Sequence, residues 1–228
     1  MSPQKTGAES RADSVAPRKL TRLRCMPNAL LGSHFRLSHA DQFREGIVRV
    51  AALLDAWPHG AAMIGGVAVT LRVRPRFTDD LDLVITVPEG SLDDLIAVAS
   101  TMGFFAEQGE LARELAEAGL LRLWSSADDD RVGVDLIFVD SEQLAETVRR
   151  ATPVDLGTCR LNVASVEDIL ILKLEANRPQ DIDDIIAIKD AHGESLDMAY
   201  VLDRCERLDL LDVLGSYFRS EAEEQQKE

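Results

Sequence analysis

Three aspartates stand where a carboxylate is unfavourable. Asp80 and Asp82 open the run "DLDLVITV", and Asp135 interrupts "RVGVDLIFV". In a strand, residues i and i+2 point to the same side. Asp80 and Asp82 therefore share a face with Val84 and Thr86, while Leu81, Leu83, Ile85 and Val87 take the other. Two adjacent carboxylates repel, and they are tolerated only in water or with a cation between them. Oxygen ligands of this kind suit magnesium. Asp135 lies among Val134, Leu136, Ile137 and Phe138, where an unpaired carboxylate is costly. On a strand beside Asp80 and Asp82 it would complete a three-carboxylate site. Two metal ions held that way activate an attacking oxygen and stabilise a leaving phosphate.

Other residues fit the same chemistry. Gly65 and Gly66 lie between a short apolar run and a helical pattern. Without side chains they let a triphosphate approach backbone N–H groups and a helix N-terminus. Arg72, Arg74 and Arg76 form a basic strip after them. Of these, Arg76 lies nearest the aspartates and is the best placed to neutralise phosphate. Lys173 sits inside "ILILKLEA", followed by Arg178 and Asp181. Each part also has a plainer reading. A Gly-Gly pair makes turns, Asp-x-Asp can be a solvated strand end, and the arginines can be a solvated face. Lys173 can snorkel at a domain seam. Arg178 and Asp181 can be a surface pair within one helix. The order and combination of the parts favour one site.

These residues need elements to position them. "ADQFREGIVRVAALLDAW" places Phe43, Ile47, Val50, Leu53 and Leu54 on one helical face. "AAMIGG" reads as a buried strand ending in a glycine turn, and "VAVTLRV" as the start of a helix. "LDLVITV" is a strand, and "SLDDLIAVASTMGF" a helix that Ser91 can cap. "ELARELAEAG" is helical, "LLRLWS" and "RVGVDLIFV" are strands, and "SEQLAETVRRA" is a helix. "TPVDLGTCRLNV" is a hairpin around Gly157. Four helical segments follow Ser165, punctuated by Asn177–Pro179 and Gly193. Mixed strands and helices followed by helices predict an α+β domain over 39–164 and a small C-terminal helical domain over 165–228.

Composition narrows the function. With 228 residues the chain can build one domain with a real core, or one plus a small appendage. A formal net charge of -15 disfavours generic coating of nucleic acid. The charge is uneven, however, because the first 40 residues are basic. Residues 1–38 read as a flexible basic N-terminal arm or an upstream extension of the reading frame; the functional version is an arm that holds a polyanionic substrate. Cys25, Cys159 and Cys205 are odd in number and far apart, which predicts a reducing compartment and no zinc site. No run reaches membrane-spanning length, and no secretory core opens the chain. The expectation is a cytoplasmic protein with no membrane partner.

The segment "GG", thirteen residues, then "DLD" resembles the signature of the DNA polymerase β-like nucleotidyltransferase superfamily. "IGGVAVTLRVRPRFTDDLDLVI" is similar to its AbiEii/AbiGii toxin-type branch, in which an arginine and a threonine precede the paired aspartates, as Arg76 and Thr78 do here. Asp135 matches the third carboxylate. "LKLEANRPQDIDDI" resembles the branch's later motif through Lys173, Arg178 and Asp181, with Asp184 one turn on and a departure at Gln180, where relatives often carry lysine. The resemblance covers about residues 60–190. It implies a nucleotidyltransferase fold and transfer of a nucleotide monophosphate from an NTP to a hydroxyl with magnesium. Asp80, Asp82 and Asp135 would hold two ions. Gly65, Gly66, Arg76, Thr78 and Arg178 would bind the nucleotide. Lys173 and Asp181 would complete the catalytic set. A tRNA end, a protein hydroxyl or a small molecule remains open as acceptor, with a cognate antitoxin as a possible partner. The rival expectation is a catalytically weak or inactive binding or regulatory module on the same fold.

Overall fold

The computed structural model describes residues 38–106, 108–125 and 131–218. The basic arm before Ser38 and the chain after Phe218 lie outside the described residues. Helix α1 (His39–Ala56) begins where the Ser38 hydroxyl accepts the Asp41 amide at 3.2 Å. Its Val50 and Leu53 are fully buried, with Phe43, Ile47 and Leu54 packed at the edge of the same core. This is the face predicted from the sequence.

The sheet is built from β1 (Ala61–Met63), β2 (Asp80–Ile85), β3 (Phe105–Ala106), β4 (Leu120–Trp124), β5 (Gly133–Phe138), β6 (Thr152–Asp155) and β7 (Arg160–Val163). Its order is β3-β4-β5-β2-β1-β7-β6. β2 runs parallel to β5 and antiparallel to β1, and β1 runs parallel to β7. The sheet is therefore mixed. Central β2 carries Leu81, Leu83, Val84 and Ile85, all inaccessible to solvent. Its first residue, Asp80, emerges into solvent.

Helices α2 (Gly65–Arg72), α3 (Leu92–Thr101), α4 (Glu110–Glu117) and α5 (Glu142–Arg150) connect the strands. The C-terminal part is α6 (Val166–Ala176), α7 (Pro179–His192), α8 (Met198–Arg207) and α9 (Leu211–Phe218). Ser165 caps α6 by accepting the Asp168 amide at 3.1 Å. Helix α6 is enclosed on several sides: Ile169, Leu170, Ile171 and Leu174 are all buried, and so are its Asp168 and Lys173. Asn177 ends it in the left-handed conformation, and Pro179 opens α7.

Two features escaped the sequence reading. Strand β3 has only two residues and exists by pairing with Leu123 and Trp124 of β4. A buried polar cluster ties α5, α6 and α8 together. Inaccessible Asp168 accepts from Ser165 Oγ at 2.6 Å, Tyr200 OH at 2.6 Å, Arg150 Nε at 3.1 Å and Gln143 Nε2 at 3.2 Å. Among the described residues, no helix is long and apolar enough to cross a membrane.

Candidate active site

Register places the aspartates. Along the parallel pair β2–β5, Asp82 lies opposite Asp135 and Asp80 opposite Gly133. Glycines make room for the carboxylates. A Cβ on Gly133 would lie 2.6 Å from Asp80 Oδ1. Gly65 has φ +61°, and a Cβ there would lie 2.0 Å from Asp82 Oδ2. A Cβ on Gly66 would lie 2.7 Å from Thr78 Oγ1. The turn opening α2 is thus folded directly onto Asp82 and Thr78.

The side chains of Asp80 and Asp82 accept no hydrogen bond or ion pair from the described residues. Burial raises the proton affinity of Asp82, and the nearby charges of Asp135 and Asp80 raise it further against Lys173 and Arg178. Burial likewise raises that of Asp80; Arg122 opposes the rise, while Asp135 and Asp79 reinforce it. Asp135 is held differently. Arg122, directly opposite on β4, grips it with both arms: Nε reaches Oδ1 at 2.6 Å, and Nη2 pairs with Oδ2. The hydrogen bond to Asp135 strengthens the Arg122 guanidinium's hold on its proton. The carboxylate that looked unpaired in the sequence therefore has a cross-strand partner. Its signal was present: "LLRLW" carries one charge in an apolar strand, as "VGVDLIF" does.

The donor set suits a hard cation at Asp80 and Asp82: oxygen atoms only, no competing partner among the described residues and mutual repulsion to relieve. Asp135 keeps a lone pair on each oxygen beyond those used by Arg122. Among the described residues, no three His, Cys, Asp or Glu side chains stand preassembled around one point. Arg122 turns the third carboxylate toward itself.

The second cluster is an interlocked chain of charges. Lys173 Nζ lies 2.6 Å from Asp181 Oδ1 and 3.0 Å from Asp184 Oδ2. Asp184 also takes Arg76 Nη1 at 2.5 Å, and Asp181 takes Arg178 Nε at 2.7 Å. The Arg178 amide adds a third donor to Asp181 at 3.2 Å. Burial works against the Asp181 charge, but the hydrogen bonds from Arg178 and Lys173 outweigh it and lower the pKa. Lys173 is a buried partner of two aspartates, neither snorkelling nor free. The basic strip also divides. Arg72 binds the carbonyls of Thr152, Val163 and Ala164, Arg74 that of Asp183, and Arg76 pairs with Asp184.

Both clusters meet at a cleft of about 860 Å³. Nine of the ten residues singled out in the sequence line it. The tenth, Asp181, is inaccessible and lies behind Lys173 and Arg178. Arg122 and Phe77 line the cleft as well.

Among solved structures, the antibiotic-resistance factor ANT(2'')-Ia in solution matches with a TM-score of 0.51 at 16% identity, over 77% of this chain and 97% of that one. An antigenic nucleotidyltransferase-like protein from Paracoccidioides brasiliensis matches with a TM-score of 0.49 at 20% identity, over 79% and 98%. No curated protein matches the chain. The family model described as "Nucleotidyl transferase AbiEii toxin, Type IV TA system" matches residues 50–222. With its mixed sheet, flanking helices and helical C-terminal region, the chain belongs to the AbiEii nucleotidyltransferase family.

Proposed function

We propose that this nucleotidyltransferase moves a nucleotide monophosphate from an NTP to a hydroxyl, with magnesium held by Asp80 and Asp82 and completed by Asp135. The observation that carries the reading is the packing of Asp82 against Gly65, which sets a carboxylate pair beside a helix N-terminus. The amides opening α2 have no intrahelical acceptor and favour anionic oxygen. Gly65 and Gly66 hold the triphosphate there, and Thr78 and Arg76 form the adjoining wall. Arg178, its side chain 59% exposed, offers its remaining N–H groups to phosphate. Lys173 stands on the cleft wall, and Asp181 acts from behind as the frame that positions Lys173 and Arg178. Magnesium, when bound, neutralises the triphosphate and acidifies the acceptor hydroxyl. The acceptor oxygen attacks the α-phosphorus, the bond to the bridging oxygen breaks, and pyrophosphate leaves. Asp135, oriented by Arg122, receives the hydroxyl proton.

The acceptor is a hydroxyl of a tRNA end, a protein or a small molecule. Membership of a family of type IV toxin–antitoxin toxins supports a toxin role with a cognate antitoxin. The bidentate Arg122–Asp135 pair favours one rival, a weakly active regulatory module in which the third carboxylate stays tied up. The test is incubation with each labelled NTP, magnesium, and total tRNA or cell extract. Transfer by the wild type that disappears in Asp80→Asn is expected. Transfer that survives Asp80→Asn refutes the mechanism, and none under any condition favours the regulatory module.

A further inference from the structure

The segment 73–79 between α2 and β2 has no regular structure, yet it is tied down at alternate residues. Arg74 Nη2 reaches Asp183 O at 3.1 Å, Arg76 pairs with Asp184, and Thr78 packs over Gly66 while bonding Asp80 O at 3.3 Å. Thr70 Oγ1 lies 3.3 Å from Arg76 O, and Arg76 Nε lies 3.3 Å from Phe77 O. Arg76 and Thr78 are partly buried on either side of Phe77, which turns outward. It is 79% exposed, the most exposed large apolar side chain among the described residues. Lone exposed apolar residues are ordinary on protein surfaces. This one differs because its backbone is fixed on both sides and the residue lines the cleft that holds Asp80, Asp82 and the glycine turn.

We propose that Phe77 is a stacking platform for a nucleobase at the mouth of the cleft. This rests on the nucleotidyltransferase reading above and adds a residue that sets substrate affinity. A flat ring held at the rim suits the face of a base, and stacking of this kind tolerates any base. The base belongs either to the NTP or to the end of an RNA acceptor, and both present the same chemistry. The partners of residues 74, 76 and 78 fix the backbone that carries the ring before substrate arrives.

The test compares wild type, Phe77→Leu and Phe77→Tyr. Equilibrium binding of each NTP and of inorganic tripolyphosphate is measured, together with KM and kcat for tRNA as acceptor. Because Phe77 packs on nothing in the core, both variants are expected to fold. Stacking predicts that Phe77→Leu weakens NTP binding by about 5- to 150-fold, that Phe77→Tyr restores it, and that tripolyphosphate binds equally to all three. If NTP binding holds while KM for tRNA rises in Phe77→Leu, the stacked base is the acceptor's. Equal NTP binding and equal KM across the three proteins overturn the proposal, as does an equal loss of tripolyphosphate binding. A wild type that binds no NTP and transfers nothing sinks the nucleotidyltransferase reading itself, and this proposal with it.

Discussion

Replacing Gly65 by alanine separates a tight turn from an active-site contact. Two costs are expected. The first is conformational: φ is +61°, where an L-residue loses about 1–2 kcal/mol. The second is steric. The new Cβ would lie 2.0 Å from Asp82 Oδ2, 2.7 Å from Cγ and 2.8 Å from Cβ. Rotating the carboxylate relieves the first two contacts. It leaves the third, because Asp82 Cβ is fixed to the central strand. The backbone has to shift, at about 1–3 kcal/mol. The sum is about 2–5 kcal/mol, a fall in melting temperature of roughly 5–15 °C for a chain of this size. Gly157→Ala supplies the control. That glycine has φ +80° and nothing within 4 Å of an added Cβ, so only the conformational cost applies. Urea and thermal melts of both variants give the difference, and labelled-NTP transfer gives the activity. Gly65→Ala should lose at least about 1 kcal/mol more than Gly157→Ala and should lose transfer. If the two melt alike, or Gly65→Ala transfers at the wild-type rate, the close packing of the turn on Asp82 is not what holds the site.

Asp181→Asn removes the inaccessible charge that holds Lys173 and Arg178, and about 3 kcal/mol of stability should be lost at neutral pH. Because the native pKa of Asp181 is lowered, its contribution is fully present above the ordinary value of 3.8 and fades as pH falls through the depressed native value. Melting curves of wild type and variant should therefore converge in acid; a constant gap down to the lowest pH would show that the charge is not responsible. Arg122→Met leaves Asp135 facing Asp80 and Asp82 without its counter-charge, at about 1 kcal/mol because the pair is partly solvated. The loss should be largest in chelator and shrink when magnesium is added. An equal loss in both would count against a cation competing with Arg122 for Asp135.

What could be read from the sequence was local. Alternation placed Asp80 and Asp82 on one face, and paired glycines marked the turn that meets them. Ser165 and Asn177 bounded α6. Asp135 was legible because a lone charge in an apolar strand needs a reason. Its partner was not, since Arg122 becomes a neighbour only through the β4–β5 register. The same limit hid the second cluster. Arg76 and Asp184 lie 108 positions apart, and only the fold makes them a pair. Lys173 looked available because its sequence neighbours are apolar. The carboxylates that occupy it arrive from α7, where the sequence suggested a surface pair.

The parallel pairing of β2 with β5 also governs when the site comes into being. Parallel strands cannot be joined by a tight turn, and here α3, β3, α4 and β4 lie between them. Such distant pairing is slow, because a long loop must close before any contact rewards it. During synthesis Asp82 has no Asp135 opposite it until β5 has been made, and Arg76 has no anchor until Asp184 follows. A chain still short of α7 carries the glycine turn and all three aspartates, but not the ion pairs that fix its wall. Activity should therefore switch on late in the birth of each molecule, with truncated chains silent rather than partly active.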